Sequence, residues 1–146
     1  MALEASVGAW GLGPFDNDTA CDWGYELDEA APSDRPAVLR KALTAAADAT
    51  GYLDHTEAAE AVAAAAIVAA HQPGGPALDP VYSPDCLRDD VPLDIPPNLL
   101  GLSLRALDRV VGEDSHWREI WEDAGRLDEV TALLAPIRAA LARHLR

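Results

Sequence analysis

The sequence is poor in cysteine, lysine and bulky aromatic side chains, and these shortages narrow the class of protein. Its 146 residues include two Cys, one Phe, three Tyr and four Trp. Cys21 and Cys86 stand far apart and neither belongs to a C-x-x-C pair, so we expect buried thiols rather than a disulfide. Lys41 is the single lysine beside ten arginines. This bias, together with abundant alanine, indicates the GC-rich genome of a bacterium.

A long apolar run is also missing. The best candidate, AEAVAAAAIVAA (59–70), is too short and too rich in alanine for a membrane span. The N-terminus has neither the basic region nor the apolar core of a secretory signal. We therefore expect a cytoplasmic protein that does not enter the membrane.

Positive charge is scarce throughout the chain. Eleven Lys and Arg face 25 Asp and Glu, which gives a formal net charge of −14. Nucleic acids and anionic membranes attract basic surfaces, so we expect the protein to bind neither. The same charge favours a basic protein as partner, and we expect such a partner to be encoded nearby.

What the chain has in abundance is alanine and helical patterning. No segment alternates apolar and polar residues for long enough to predict a strand, and the length suits one domain, 1–146. We predict an all-α single-domain bundle of about five to six helices, with an N-terminal strap and a long Pro/Asp-rich loop. The helices are predicted to begin near 16–18, 33–34 and 54, and then to cover about 98–111, 115–124 and 128 to the C-terminus.

Local signals predict how these helices begin and end. Asp54 and Glu57, in DHTE, have the spacing of a capping box at the start of the third helix. Asp114 or Ser115 is the predicted cap of the fifth helix. Pro136 falls inside the last helix, so we expect it to kink that helix or to divide it.

Residues 72–98 are predicted to form a long irregular loop. They contain seven prolines and five aspartates, a composition through which no helix can run. Loops of this length are often functional or mobile. Scattered apolar residues favour a loop that packs on its own domain, while the alternative is an arm that binds a partner through residues such as Tyr82.

No motif for a metal, a cofactor or a nucleophile is present, so we expect no cofactor. The glycines of GAWGLG follow no strand and precede no Lys-Ser or Lys-Thr pair, which excludes a phosphate-binding loop. There is no G-x-S-x-G elbow. The four histidines form no i, i+4 pair and have no nearby cysteine to complete a metal site: His55, His71, His116 and His144.

The stretch GAWGLGPFDNDTACDW (8–23) concentrates unusual residues near the N-terminus. Trp10 suits either a core anchor or an exposed contact, and Phe15 suits a hydrophobic staple before the first helix. His116, at the start of the fifth helix, is either a solvent-facing residue or a general acid or base. The candidate binding residues are Trp10, Asp16, Asn17, Trp23, Trp117 and Tyr82.

This stretch closely resembles the N-terminal signature of the DUF4259 family, which are small bacterial proteins of unknown function. The signature is similar to G-A-W-G-x-G-x-F-x-N-D-x-A-x-D-W. Two weaker similarities follow, in AVAAAAIVAA (61–70) and SHWREIW (115–121). The resemblance also implies a glutamate at the positions of Ala66 and His116, so this chain departs from the family at both. It implies no known activity.

Two functions compete at this point. The first is a non-catalytic protein that binds another protein, as an immunity-type, regulatory or accessory subunit. The alternative is an enzyme, or an enzyme subunit, that acts on a small molecule in specialised bacterial metabolism. Its catalytic residues would be His116, Asp18 and Asp22, which would transfer protons in a cleft lined by tryptophan.

Overall fold

A computed structural model describes residues 11–78, 82–88 and 93–145, apart from the side chain of Arg88. Within these residues the structure is helical and contains no strand, which confirms the predicted all-α fold. Two short 3₁₀ turns accompany the α-helices, at Pro32–Asp34 and Asp85–Arg88. Six α-helices lie within the described residues: α1 (Asp18–Glu29), α2 (Arg35–Ala47), α3 (His55–Ala70), α4 (Asn98–Val111), α5 (His116–Asp123) and α6 (Leu127–Arg143).

Helix α3 is the centre of the bundle. Every residue of 61–69 is buried, and all five other helices pack against α3. Alanine on nearly every face lets the neighbouring helices approach its backbone closely, so little volume is left for large side chains. The apolar core therefore forms around one smooth helix, with Leu43, Ile67 and Leu107 among its fully buried residues.

The predicted helix ends were partly right. Asn17 caps α1, because its Oδ1 accepts a hydrogen bond of 2.8 Å from the Ala20 N–H. Ser115 caps α5 through its Oγ, which accepts from the Arg118 N–H at 3.3 Å. The capping box at Asp54 was wrong, since Asp54 stands at the N-cap position but its side chain makes no capping hydrogen bond.

The last helix contains Pro136 yet runs as one element from Leu127 to Arg143. Of the two predicted outcomes, a division of the helix at Pro136 was therefore wrong, and a kink stays a prediction. A proline removes one main-chain hydrogen bond, here to the carbonyl four residues earlier. Apolar packing compensates, because Leu134 and Ile137, on either side of the proline, are both buried against the core.

The described parts of the loop 72–98 pack on the domain. The Asp28 carboxylate accepts hydrogen bonds from the N–H groups of Asp85 at 3.1 Å and Cys86 at 2.7 Å, and so holds the 3₁₀ turn against α1. At the other end of the loop, His144 Nε2 lies 3.0 Å from the Pro73 carbonyl oxygen. None of the described helices combines the length and the apolar character needed to cross a bilayer.

Candidate functional site

The signature segment, defined here as residues 11–23, is held mainly by hydrogen bonds between near neighbours in sequence. The Asp16 carboxylate accepts from the Gly13 N–H at 3.0 Å, and the Asp16 N–H donates to the Gly13 carbonyl at 3.0 Å. The Cys21 thiol donates to the Phe15 carbonyl at 3.3 Å. Phe15 itself is buried, so the segment is pinned to the core beside a closed polar turn.

Two signature glycines leave room for the Asp16 carboxylate in this turn. A Cβ on Gly11 would stand 2.6 Å from Asp16 Oδ2, and one on Gly13 would stand 2.8 Å from the same atom. Carbon and oxygen do not approach so closely without a bond. Any side chain at either position would therefore push the Asp16 carboxylate out of its place.

A cavity of about 260 Å³ lies beside the signature turn. Among the described residues of its lining, Asp16 is the only ionisable one. The other walls come from α3, from the start of the loop and from α6, and they are apolar or glycine: Gly13, Pro14, Phe15, Ala66, Pro76, Ala77, Leu78, Leu133, Pro136 and Ile137. Leu133 lines this cavity and is 48% exposed.

The outer side of α1 forms an acidic face, defined by Asp18, Asp22, Tyr25, Glu26 and Glu29. All five residues are exposed, and Tyr25 is exposed by 64%. At 100° per residue they share an arc of about 100°, opposite the buried residues of the same helix. The α1 helix thus presents four carboxylates and one tyrosine ring to solvent.

The acidic face continues onto α3. Burial raises the pKa of Glu60, and the negative charges of Glu26 and Glu57 raise it further, while Lys41 opposes them. Carboxylates of α1 and α3 therefore act on each other across one surface.

A cleft of about 200 Å³ borders the acidic face. Its lining includes Cys21, Tyr25 and Asp28 of α1 and residues 82–85 of the loop. Tyr82 is 44% exposed there, so two tyrosine rings flank the cleft.

A second polar region, called here the polar corner, lies where the segments just before α3 and α5 are hydrogen-bonded to each other. The Leu53 N–H donates to the Asp114 carbonyl at 2.7 Å, and the His116 N–H donates to the Leu53 carbonyl at 2.9 Å. This bridge places the His55 and His116 rings with their centroids 5.9 Å apart. The centroid of the Tyr52 ring lies 6.0 Å from that of His116.

Two side chains of the polar corner have shifted pKa values. The Tyr52 hydroxyl donates a 2.7 Å hydrogen bond to Glu119, and this bond is the main cause that raises the pKa of Tyr52 to about 12. Burial lowers the pKa of His55, and the nearby His116 lowers it further, against the opposing charge of Asp54. His55 therefore favours its neutral form, in which the imidazole can accept a proton.

Arg109 of α4 also belongs to the polar corner. Its guanidinium donates to the carbonyls of Glu113 at 3.0 Å and Asp114 at 3.3 Å, and also to the Gly51 carbonyl. A longer bond of 3.5 Å reaches the Ala49 carbonyl. One side chain thus links the turn before α3 to the turn before α5.

The predicted binding residues are spread over several places. Trp10 lies outside the described residues. Trp23 and Trp117 are both buried in the core, at 4% and 5% exposure. Asn17 and Trp117 line one small space of about 20 Å³, which holds no more than a water molecule. Asp16 and Tyr82 line two other cavities.

The predicted catalytic residues are not brought together. Asp18 and Asp22 lie exposed on the acidic face of α1, whereas the ring of His116 contacts Tyr52 and His55. Within the described structure α1 and α5 make no backbone contact with each other. Cys21 and Cys86 are not joined in a disulfide, and no group of three or more His, Cys, Asp or Glu among the described residues could hold a metal ion.

Sequence reasoning missed His55, Tyr52 and Tyr25. A signal for the histidines was present, because both follow directly after an N-cap residue, in Asp54-His55 and Ser115-His116. That repetition does not reveal that the two helix starts are neighbours. Tyr25 could have been found from its helical spacing with the four acids of α1.

Fold and surface together define a class, that of small acidic helical proteins whose described residues carry no metal-binding cluster. The particular family follows from comparison with known sequences. The chain belongs to the DUF4259 family, a domain of unknown function, whose family model matches residues 8–132. This confirms the resemblance of the signature. No curated protein and no solved structure matches the chain.

The two positions at which the resemblance implies glutamate fall in different regions. Ala66 lines the cavity beside Asp16, while His116 belongs to the polar corner with His55. His55 and Ala66 are eleven residues apart on α3, which corresponds to about 16 Å along its axis. Acids at positions 66 and 116 would therefore not meet in one cluster.

Proposed function

We propose that the protein is a non-catalytic binding partner of a basic protein, and that the acidic face of α1 is its contact surface. The observation that carries the proposal is the exposure of Tyr25 among Asp18, Asp22, Glu26 and Glu29. Tyrosine is enriched at the energetic centres of protein interfaces. Surrounding carboxylates would attract a basic surface and accelerate its association.

The surroundings of the acidic face support the proposal. Glu57 and Glu60 extend the negative surface onto α3, and Tyr82 adds a second exposed ring at the edge of the bordering cleft. The net charge of −14 gives the whole molecule a long-range field of the same sign. The contact would be weakened by salt, because exposed charges are screened beyond about 10 Å at 0.1 M.

The test measures complex formation with the basic products of neighbouring genes, by size-exclusion chromatography and calorimetry. The double substitution Asp22→Lys and Glu26→Lys is expected to weaken binding by about tenfold or more, since it replaces attraction with repulsion. The matched control is Glu122→Lys with Asp123→Lys. It changes the net charge equally, on exposed positions of α5.

A Tyr25→Ala variant tests the centre of the surface, with Tyr52→Ala as the control for an exposed tyrosine elsewhere. We expect Tyr25→Ala to weaken the complex by about tenfold and Tyr52→Ala to leave it unchanged. Equal effects of the two charge-reversal pairs would show that only net charge matters. If the protein stays monomeric with all such candidates at micromolar concentration, the proposal fails.

Proton transfer at a small molecule is a second candidate, with less support. The lowered pKa of His55 favours a neutral imidazole beside His116, which suits a general base. This candidate predicts a turnover that His55→Gln and His116→Gln abolish and Asp18→Asn leaves intact. Loss on Asp18→Asn would instead favour the cluster expected from the sequence.

A further inference from the structure

The cavity beside the signature turn differs from the partner surface in shape and chemistry. It is bounded by four separate parts of the chain: the turn of Gly13–Asp16, the central helix α3 at Ala66, the start of the loop at Pro76–Leu78, and α6 at Leu133 and Ile137. Its volume is about 260 Å³. A cavity of about 150 Å³ with apolar walls is large enough for benzene, so this one suits a molecule of about nine or ten non-hydrogen atoms.

The apolar walls of the cavity favour a ligand whose larger part is apolar. Phe15, Ala66 and Ile137 are buried and supply carbon surfaces. Leu133 remains 48% exposed at the same cavity, so an apolar occupant would cover a large side chain that water now contacts.

Asp16 determines which polar group such a ligand would need. Its carboxylate is oriented by the Gly13 N–H at 3.0 Å, and the absence of a Cβ on Gly11 and Gly13 leaves room for this position. A carboxylate has about four acceptor sites, of which the Gly13 N–H uses one. The remaining sites favour a ligand that donates hydrogen bonds and carries positive charge. An anionic ligand would be repelled.

We propose that this cavity binds a small apolar primary amine, with the ammonium group paired to Asp16 and the hydrocarbon part between Phe15, Ala66 and Leu133. The site is independent of the partner surface, since none of the residues of the acidic face lines the cavity. A primary ammonium fits because it offers three donors to the acceptor sites that Gly13 leaves open.

The test uses 2-phenylethylamine, which has nine non-hydrogen atoms, and its neutral analogue 2-phenylethanol. Binding is measured by calorimetry and by amide chemical-shift changes at pH 7. We expect a dissociation constant at or below about 1 mM for the amine. The alcohol should bind about fivefold more weakly, as it lacks the charge. Shift changes should centre on Phe15, Ala66 and Ile137.

The substitution Asp16→Asn removes the charge and keeps an acceptor for the Gly13 N–H. We expect it to bring the amine to the affinity of the alcohol. Asp18→Asn is the matched control, because it makes the same change two residues away on the exposed face of α1. This control should retain the preference for the amine.

A second pair of variants tests the cavity without touching the signature turn. Ala77→Phe adds bulk at an exposed lining position, and Ala139→Phe makes the same change on the exposed side of α6, outside the lining. Only Ala77→Phe should abolish binding. Equal affinity for amine and alcohol, an absence of saturable binding below about 10 mM, or shift changes centred on the acidic face would each overturn the proposal.

Discussion

The signature segment and the polar corner stabilise two regions of the same bundle by different means. In the signature segment the side-chain bonds of Asp16 and Asn17 reach only three residues along the chain. In the polar corner, Arg109 reaches carbonyls 58 and 60 residues away, and Tyr52 bonds to Glu119 over 67 residues. One region is organised by local sequence, and the other exists only after the helices have packed.

This difference has a consequence for how each region responds to substitution. A local turn can re-form its bonds in other ways after one change, because its partners remain adjacent. Arg109 donates hydrogen bonds to four carbonyls of two turns. Its loss leaves several acceptors to water or unpaired at once.

The largest expected effect is that of Arg109→Met, which keeps the aliphatic stem and removes the donors. We expect the free energy of unfolding to fall by about 2 kcal/mol in urea denaturation. Arg105→Met is the matched control on the same helix. Its side chain is exposed and makes one ion pair with Asp48 at 3.6 Å, so less than about 0.5 kcal/mol should be lost. Equal losses would show that the hydrogen bonds of Arg109 add no more stability than one exposed ion pair.

A smaller effect compares the helix caps of the two regions. Asn17→Ala removes a 2.8 Å bond to the Ala20 N–H and should cost about 1 kcal/mol. Ser115→Ala removes a 3.3 Å bond to the Arg118 N–H and should cost about 0.5 kcal/mol, because the longer bond is weaker. Urea denaturation of both variants measures the difference. A larger loss for Ser115→Ala would reverse the ranking of the two caps.

The smallest expected effect concerns pH and the polar corner. Burial and His116 lower the pKa of His55 below its ordinary value of 6.5. As pH falls through that value, the unfolded chain binds a proton that the folded chain resists, so stability decreases until pH passes the folded pKa. Above the ordinary value the group has no effect.

Denaturation of wild type and His55→Gln over this pH range measures the contribution, since other titrating groups affect both proteins alike. We expect His55→Gln to flatten the loss of stability on acidification. The charged and titratable groups that act on His55 are His116, which adds to the shift, and Asp54, which opposes it. Identical pH profiles would mean that His55 titrates as it does in the unfolded chain.

Much of the fold could be predicted from the sequence, because helix formation depends on spacing that a reader can see. The helix at 98–111 was predicted with the bounds that the structure has, from leucines at i, i+4 and i+7. The division of the last helix at Pro136 was a wrong prediction, because the local cost of the proline was judged without the packing of Leu134 and Ile137. The capping box at Asp54 was also a wrong prediction. A residue type that favours capping stands at the N-cap position, but its side chain does not make the capping hydrogen bond.

The candidate sites were far less predictable. Trp23 and Trp117 are conspicuous in the sequence but are buried in the core, whereas Tyr25, which is less conspicuous, is exposed by 64%. Helical spacing shows which residues share a face and does not show which face meets the core. Long-range packing also decided that His116 meets His55 rather than Asp18 or Asp22.

By itself the sequence determined the helical class, the acidic charge, the family signature and the turn of Gly13 to Asp16. These follow from composition and from contacts between residues a few positions apart, whose geometry the chain itself restricts. Only the tertiary structure decided the cavity beside Asp16, the pairing of His55 with His116 and the reach of Arg109. Each of these needs segments about 50 or more residues apart, and their positions depend on how the six described helices share one core.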